Sequence, residues 1–413
     1  MIKMKTPFYP ADILIPENAD MQKWSVVACD QYTSEPDYWK RVESFVGGAP
    51  STLKMILPEI YLEAADSAER IEKINKTMRD YLKEGLFKCL QNSFVYVERT
   101  LPDGKVRKGI IGAVDLEEYD YSVGSRSLIR ATEGTIISRI PPRLKVRKNA
   151  ALESPHILIL IDDKEKTVIE REDKSALEKI YDFDLMENSG HIAGYLIKDT
   201  AAVLERFNAL SEKVDRENPL FFAVGDGNHS LATAKAHWEE LKKTLSPEEL
   251  RDHPARYALA EIENLHDDSL VFEPIHRVVF DCDEEDLIKE LKSFYDISEN
   301  GGGQKITIVK GDKKQTLFIK DPKSSLPVGS LQIFLDKYIA EKGLKTDYIH
   351  GDDVVGKLSE KKGNLGFILP AMDKSELFPT VMKDGALPRK TFSMGEACEK
   401  RFYLEMRKIV KDL

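Results

Sequence analysis

The run Leu220-Phe221-Phe222-Ala223-Val224-Gly225-Asp226-Gly227-Asn228-His229-Ser230 decides how this chain is read. Its apolar half has the make-up of a buried strand and breaks off at an aspartate bracketed by glycines. Downstream, Leu231, Ala234, Trp238, Leu241 and Leu245 recur at steps of three and four residues, the period of one buried helix face. The segment reads as a strand, a tight glycine turn and a helix N-terminus. Gly225 and Gly227 admit backbone angles that other residues resist. Asp226 and Asn228 are expected to cap the free N–H groups of the first helical turn.

Free amides and the positive end of a helix dipole make such a corner receptive to an anion. Gly227, Asn228 and Ser230 are the expected phosphate-binding turn. His229 suits hydrogen bonding to a phosphate or proton transfer. Asp226 suits holding Mg²⁺ or accepting a hydroxyl proton. The alternative is an ordinary strand–turn–helix corner, in which Asp226 caps and His229 is a satisfied turn residue. The pattern is neither a Walker loop nor a dinucleotide fingerprint.

Around this corner the pattern is that of an α/β or α+β protein: a mixed sheet with flanking helices and a smaller inserted α/β subdomain. Tyr257–Leu265 reads as a strand, so residues 220–265 are expected to form a parallel strand–helix–strand unit. Upstream, His156–Ile161 and His191–Ile197 read as strands, and Ser93–Arg99 with Val106–Leu116 as a hairpin about Pro102-Asp103-Gly104. Residues 64–87 carry an amphipathic helical period. Trp24–Cys29 reads as a short strand entering a loop in which Asp30 and Tyr32 are candidate ligand residues and Ser34 a helix cap. The last segment is expected to be a helix burying Phe402, Met406, Ile409 and Leu413. These elements suggest an N-terminal α/β region (1–125), a central region (126–281), an insertion (282–345) and a C-terminal region packing back on the core (346–413).

Residues 126–148 set Arg126, Arg130, Arg139, Arg143, Lys145, Arg147 and Lys148 against one acid, Glu133. Lys145–Lys148 reads as a solvated face. Arg139-Ile140-Pro141-Pro142-Arg143 is expected to interrupt regular structure. Arg130, Arg139 and Arg143, interleaved with apolar residues and proline, suit forked hydrogen bonds to phosphate or carboxylate. Pro274 fixes an extended entry to His276-Arg277, either of which is a candidate to face the central loop, the alternative being a polar pair that ends a strand; Arg389 and Lys390 lie in a loop between glycines. All four are further candidates for an anion.

The chain has 413 residues, enough for two or three domains with substantial cores, and a net charge of −10. That balance argues against a general nucleic-acid or anionic-membrane binder. No apolar run reaches membrane-spanning length. Cys29, Cys89, Cys282 and Cys398 are far apart and the histidines are scattered. This fits reduced thiols in a cytoplasmic protein and gives no reason to expect zinc, haem or flavin.

Taken together, the motifs resemble a bacterial and archaeal family, domain of unknown function 1015, over nearly the whole chain. Val26–Tyr32 is similar to its A-P-P-Y-D-V region, and Arg130–Arg143 to its H-E-x-T…R segment. Asp226–His229 is similar to its D-G-H-H-R motif, Pro274–Arg277 to P-T-H-R, and Leu387–Phe392 to M-P-x-K-S-T-x-F. The D-G-H-H-R motif also resembles one in the ParB N-terminal domain, sulfiredoxin and free-serine kinases. Asn228 and Ser230 stand where the motif has His and Arg, which removes a strong phosphate ligand. Thr132 replaces the His before Glu133.

The resemblance implies a nucleotide or phosphate site using ATP or ADP, with phosphoryl transfer to a small hydroxyl compound. Asp226, His229 and Glu133 are then the catalytic candidates, and the cations named above neutralise charge. Two other readings stand beside it. One is a non-catalytic regulator binding the same anion. The other is a ParB-like DNA-associated protein, against which the acidic balance counts. No oligomeric state follows from the sequence.

Overall fold

The computed structural model describes residues 5–32, 35–62, 64–154 and 156–411. The Asp30 side chain, Ser34 and Leu413, with the roles expected of them, fall outside the described residues. The protein is mixed α/β and divides into two units. One comprises Met1–Ala131, Thr135–Leu270 and Glu396–Leu413, and the other Thr132–Gly134 and Val271–Gly395.

The first unit is built on an 11-stranded mixed sheet. Alternation along its strands explains why it is covered on both sides. Phe94 and Tyr96 join one apolar cluster with Phe8, Phe207, Phe222, Leu231 and Trp238. Their neighbours Val95 and Val97 join another with Ile13, Trp24, Val26 and Trp39. Successive side chains of a strand point to opposite faces, so a strand apolar at every position needs cover on both. The helices Thr200–Ser211 and Asn228–Leu241 supply Phe207, Leu231 and Trp238 to the first face. The hairpin forms as expected, with Phe87–Thr100 antiparallel to Val106–Asp115.

The expected parallel strand–helix–strand unit is not formed. The strand Phe222–Asp226 lies parallel to Ile129–Ala131 and antiparallel to Leu158–Ile161. Leu158–Ile161 in turn lies parallel to Tyr257–Asn264, so the two strands flanking the central helix are separated and run in opposite directions. After Leu241 a second helix, Pro247–Asp252, opened by a Ser246/Glu249 capping box, lengthens the connection. That added length lets the chain enter the sheet from its other end.

The C-terminal expectation is also corrected. After a short turn at Ala397–Glu399 the chain runs extended and not helical. Tyr403 N–H donates to the Val26 carbonyl at 2.8 Å, and Met406 exchanges both backbone hydrogen bonds with Leu14. Arg407–Lys408 pairs with Leu152–Glu153. Phe402, Leu404 and Met406 are fully buried at alternate positions, a strand period inside what also scans as a helical one. Charged side chains are buried with them. Arg401 reaches Glu261 at 2.9 Å and Glu405 at 2.5 Å, and Tyr181 donates its hydroxyl to Glu405.

The prolines at 141 and 142 do not interrupt structure. They occupy the first turn of the helix Ile140–Arg147, where a missing N–H costs no intrahelical bond.

The second unit is a 7-stranded sheet of antiparallel pairs. Phe272–Phe280 lies between Lys345–His350 and Leu365–Ile368, with Phe392–Met394 along its first residues. The helices Glu284–Phe294, Pro327–Lys342 and Asp352–Glu360 belong to this unit. Among the described residues no helix is long and apolar enough to cross a membrane.

Removing one member of a buried ion pair strands the other in a medium that solvates it poorly. Arg401→Met is expected to cost about 3–5 kcal/mol in urea unfolding. A loss below about 1 kcal/mol would show that these pairs do not hold the C-terminal segment.

Candidate functional site: the Asp226–Ser230 corner

The strand Phe222–Asp226 is buried through Val224 and ends at Asp226. Gly227 follows with φ +83° and ψ 22°, the left-handed region, and is the N-cap of the helix Asn228–Leu241. A side chain there would be doubly disfavoured, because a Cβ would also meet Ile157 Cα at 3.0 Å. The helix begins with a bond from Leu231 N–H to the Gly227 carbonyl at 3.0 Å.

The expected capping is corrected: the N-cap is Gly227, which has no side chain to cap with. Asn228 is already the first helical residue, too late to cap. Asp226 Oδ1 instead accepts the N–H of Gly227 at 2.8 Å and so braces the turn. Its other oxygen, Oδ2, lies 3.2 Å from Lys400 Nζ. Asn228 Oδ1 is buried and accepts no hydrogen bond from the described residues. His229 Nε2 accepts the N–H of Ile136 at 3.3 Å, which puts the ring proton on Nδ1. The His229 carbonyl takes the Thr233 hydroxyl at 2.7 Å. Ser230 is half-buried on the same turn.

Tyr403 belongs to the same neighbourhood. Burial pushes its phenol up, as do Cys29 and Asp226, while Arg143 works the other way. The ring of Tyr403 lies 5.0 Å from that of His156. The sequence reading missed Lys400, Tyr403 and His156. Tyr403 falls within the stretch read as a terminal helix, Lys400 just before it, and no spacing links either to Asp226.

The arginines expected to bind phosphate here have protein partners. Arg130 is buried and donates to the Ser127 carbonyl at 3.0 Å, to Asn218 Oδ1 at 2.7 Å and to the Pro219 carbonyl. It ties two loops together. Arg143 pairs with Glu59 and donates to the Arg139 carbonyl at 2.9 Å. Arg139 is half-buried as the helix N-cap. Tyr32 is packed, its ring stacked on Tyr38 at 3.7 Å.

Glu133, His276, Arg277, Arg389 and Lys390 belong to the second unit. There the five N–H groups of Arg277 all meet protein acceptors. Nε donates to Gln332 at 2.8 Å, Nη1 to the carbonyls of Ile275 and His276, and Nη2 to those of Arg389 and Lys390. Burial pushes this guanidinium down to about 10, against Tyr348 and Glu133. Arg277 thus holds the 389–390 loop and has no N–H left for a phosphate. His276 Nδ1 accepts the Leu369 N–H at 3.2 Å, so Nε2 carries the proton toward Asp352 at 2.9 Å. Burial pushes its pKa down, which fits a fixed neutral tautomer. Arg389 is exposed over the Tyr348 ring, at 5.2 Å. Lys390 has a positive φ of 55°, and Glu133 pairs with Leu387 through an isolated bridge. Among the described residues no group of three or more His, Cys, Asp and Glu is arranged to hold a metal ion.

Gly227→Ala should lose about 1–3 kcal/mol in urea unfolding, from the left-handed backbone and the approach to Ile157. Unchanged stability would contradict this turn geometry. His237, buried on the same helix, offers a pH test. Burial, then Arg147, pushes its pKa down to about 4, with Glu240 opposing. The folded protein therefore binds fewer protons than the unfolded chain between about pH 6.5 and about pH 4. The stability this gives is complete above that window and is lost as pH falls through it. His237→Gln should flatten that loss by about 1.4 kcal/mol per pH unit. Equal slopes in the two proteins, measured by urea unfolding across the window, would exclude His237 as its source.

Residues 10–338 match the family model described as "Protein of unknown function (DUF1015)". Three solved structures are similar. A free serine kinase mutant in complex with ADP shares 12% identity over 75% of this chain and 95% of its own, with a TM-score of 0.41. A conserved hypothetical protein from Pyrococcus furiosus shares 12% over 72% and 94%, at 0.37. C-terminally truncated SbnI from Staphylococcus aureus shares 10% over 69% and 82%, at 0.36. No curated protein is similar enough to match. With the family model spanning most of its length, the chain belongs to the DUF1015 family.

Proposed function

We propose that the first unit binds the anionic group of a nucleotide or phosphorylated small molecule at the Asp226–Ser230 corner. The observation that carries this is a 14-residue helix that opens directly from the strand end at Asp226 on a left-handed glycine N-cap. The first amides of a helix lack intrahelical partners and, with the positive end of the helix dipole, favour an anion. The nearly buried ammonium of Lys400 adds a positive charge beside the turn.

The finer reading is phosphoryl transfer from ATP to a small hydroxyl compound. Asp226 would take the hydroxyl proton as that oxygen bonds to phosphorus and ADP leaves. His229, at the mouth of the turn, would hydrogen-bond a phosphate oxygen or move a proton. The second reading, a binding protein without turnover, is favoured by the contacts of Asp226, because Lys400 lies against Oδ2 and the Gly227 N–H takes Oδ1, so both oxygens already have partners within the protein. Both readings use residues of one unit alone.

Thermal unfolding with ATP, ADP, pyrophosphate or phosphate tests the common part. A ligand well above its dissociation constant should stabilise the protein by roughly 2–4 kcal/mol, and less in Asp226→Asn. A flat response to all four would end the anion reading. For catalysis, Asp226→Asn should abolish transfer of labelled γ-phosphate to an acceptor. Transfer at the wild-type rate would remove Asp226 as the base.

A further inference from the structure

Lys400 is 8% exposed, an uncommon place for a lysine, and the backbone around it is pinned on both sides. Arg99 Nη2 donates to the Cys398 carbonyl at 2.8 Å, and Arg107 Nη1 to the Glu399 carbonyl at 3.0 Å. Arg401, the next residue, is held by Glu261 at 2.9 Å. These three arginines are each no more than 4% exposed. A lysine side chain ordinarily keeps much rotamer freedom and wanders into water. Here its backbone is fixed, and the ammonium lies 3.2 Å from Asp226 Oδ2. A buried ammonium requires a counter-charge, and Asp226 supplies it.

The same contact bears on the metal expected at Asp226. Mg²⁺ is usually held by one or two carboxylates together with substrate phosphates and water. Asp226 already has Oδ1 on the Gly227 N–H at 2.8 Å and Oδ2 beside Lys400. A divalent ion at Oδ2 would have to displace the Lys400 ammonium or lie against its positive charge. The residues present do not fit a Mg²⁺ site.

We propose, resting on the anion-binding reading above, that Lys400 is the working cation of this corner. It pairs with Asp226 and also contacts the ligand's phosphate, so that a phosphate-bearing anion binds without a divalent metal. Lys400 lies beyond the residues matched by the family model, 10–338, and is brought to the motif only by the pinned C-terminal segment.

Two measurements on the full chain test this. The first needs no ligand: urea unfolding of Asp226→Asn, Lys400→Met and the double variant. If the pair is real, each single variant is destabilised and the double loses less than the sum. Strict additivity would overturn the pairing. The second is calorimetric binding of pyrophosphate, in EDTA and in Mg²⁺. Wild type should bind with affinities within about threefold in the two conditions. Lys400→Met should bind at least about tenfold more weakly, the loss of one charge-assisted hydrogen bond, and Lys400→Arg should recover most of that loss. Binding only with Mg²⁺, or wild-type affinity in Lys400→Met, would overturn the proposal. If pyrophosphate fails to bind wild type in either condition, the anion reading and the ligand-binding role fall together. The double-variant result then stands by itself on the pairing.

Discussion

The arginine–carboxylate contacts inside the first unit are what its C-terminal segment depends on. Arg401 meets Glu261 of a sheet strand and Glu405 of its own segment, all three side chains nearly fully buried. Arg407 pairs with Glu153 at 2.8 Å, and Glu153 also accepts from Arg147 and from the Leu259 N–H. Burying a charge is costly unless it is paired and its remaining hydrogen-bonding capacity is met. Such contacts therefore discriminate strongly among placements of the segment, because a shift by one residue would strand several charges at once. The alternating Phe402, Leu404 and Met406 favour an extended path, and the charged residues between them select its register.

That constraint reaches the candidate site. The corner after Asp226 is local chemistry: a strand end, a left-handed glycine and a helix N-terminus. By itself it is one anion-friendly turn among many. What distinguishes it is Lys400, placed beside Asp226 in a segment whose two preceding carbonyls, of Cys398 and Glu399, are held by Arg99 and Arg107. The packing of the C-terminal segment and the electrostatics of the corner are thus linked through Lys400 and its neighbour Arg401.

In the second unit the basic residues act on the fold. Arg277 directs every N–H to protein, three of the five to carbonyls on other segments or the facing glutamine, and its plane also lies over Tyr348 at 4.5 Å. An arginine beside proline and histidine looks the same in sequence whether it meets phosphate or backbone carbonyls, since both present oxygen to the same fork of donors. Arg130 illustrates the same ambiguity in the first unit.

Much of the fold was legible because it follows short-range periodicity. The hairpin Phe87–Thr100 with Val106–Asp115, the strand His191–Ile197 and the helix after Gly227 fall where apolar spacing puts them. The Gly227 turn was legible too, because only glycine adopts that backbone cheaply. Strand direction about the central helix was not, since it depends on how a 15-residue connection returns to the sheet, which local pattern does not encode. The terminal segment misled because residues 402, 406 and 409 satisfy a helical period as well as burial does. Its actual path was decided by partners far away in sequence. By itself, the sequence determined the glycine corner, the two-sided burial of the sheet strands and the family. Tertiary structure alone decided that Lys400 meets Asp226 and that Arg130 and Arg277 brace the fold, because long-range ion pairs and carbonyl contacts leave no periodic trace along a chain.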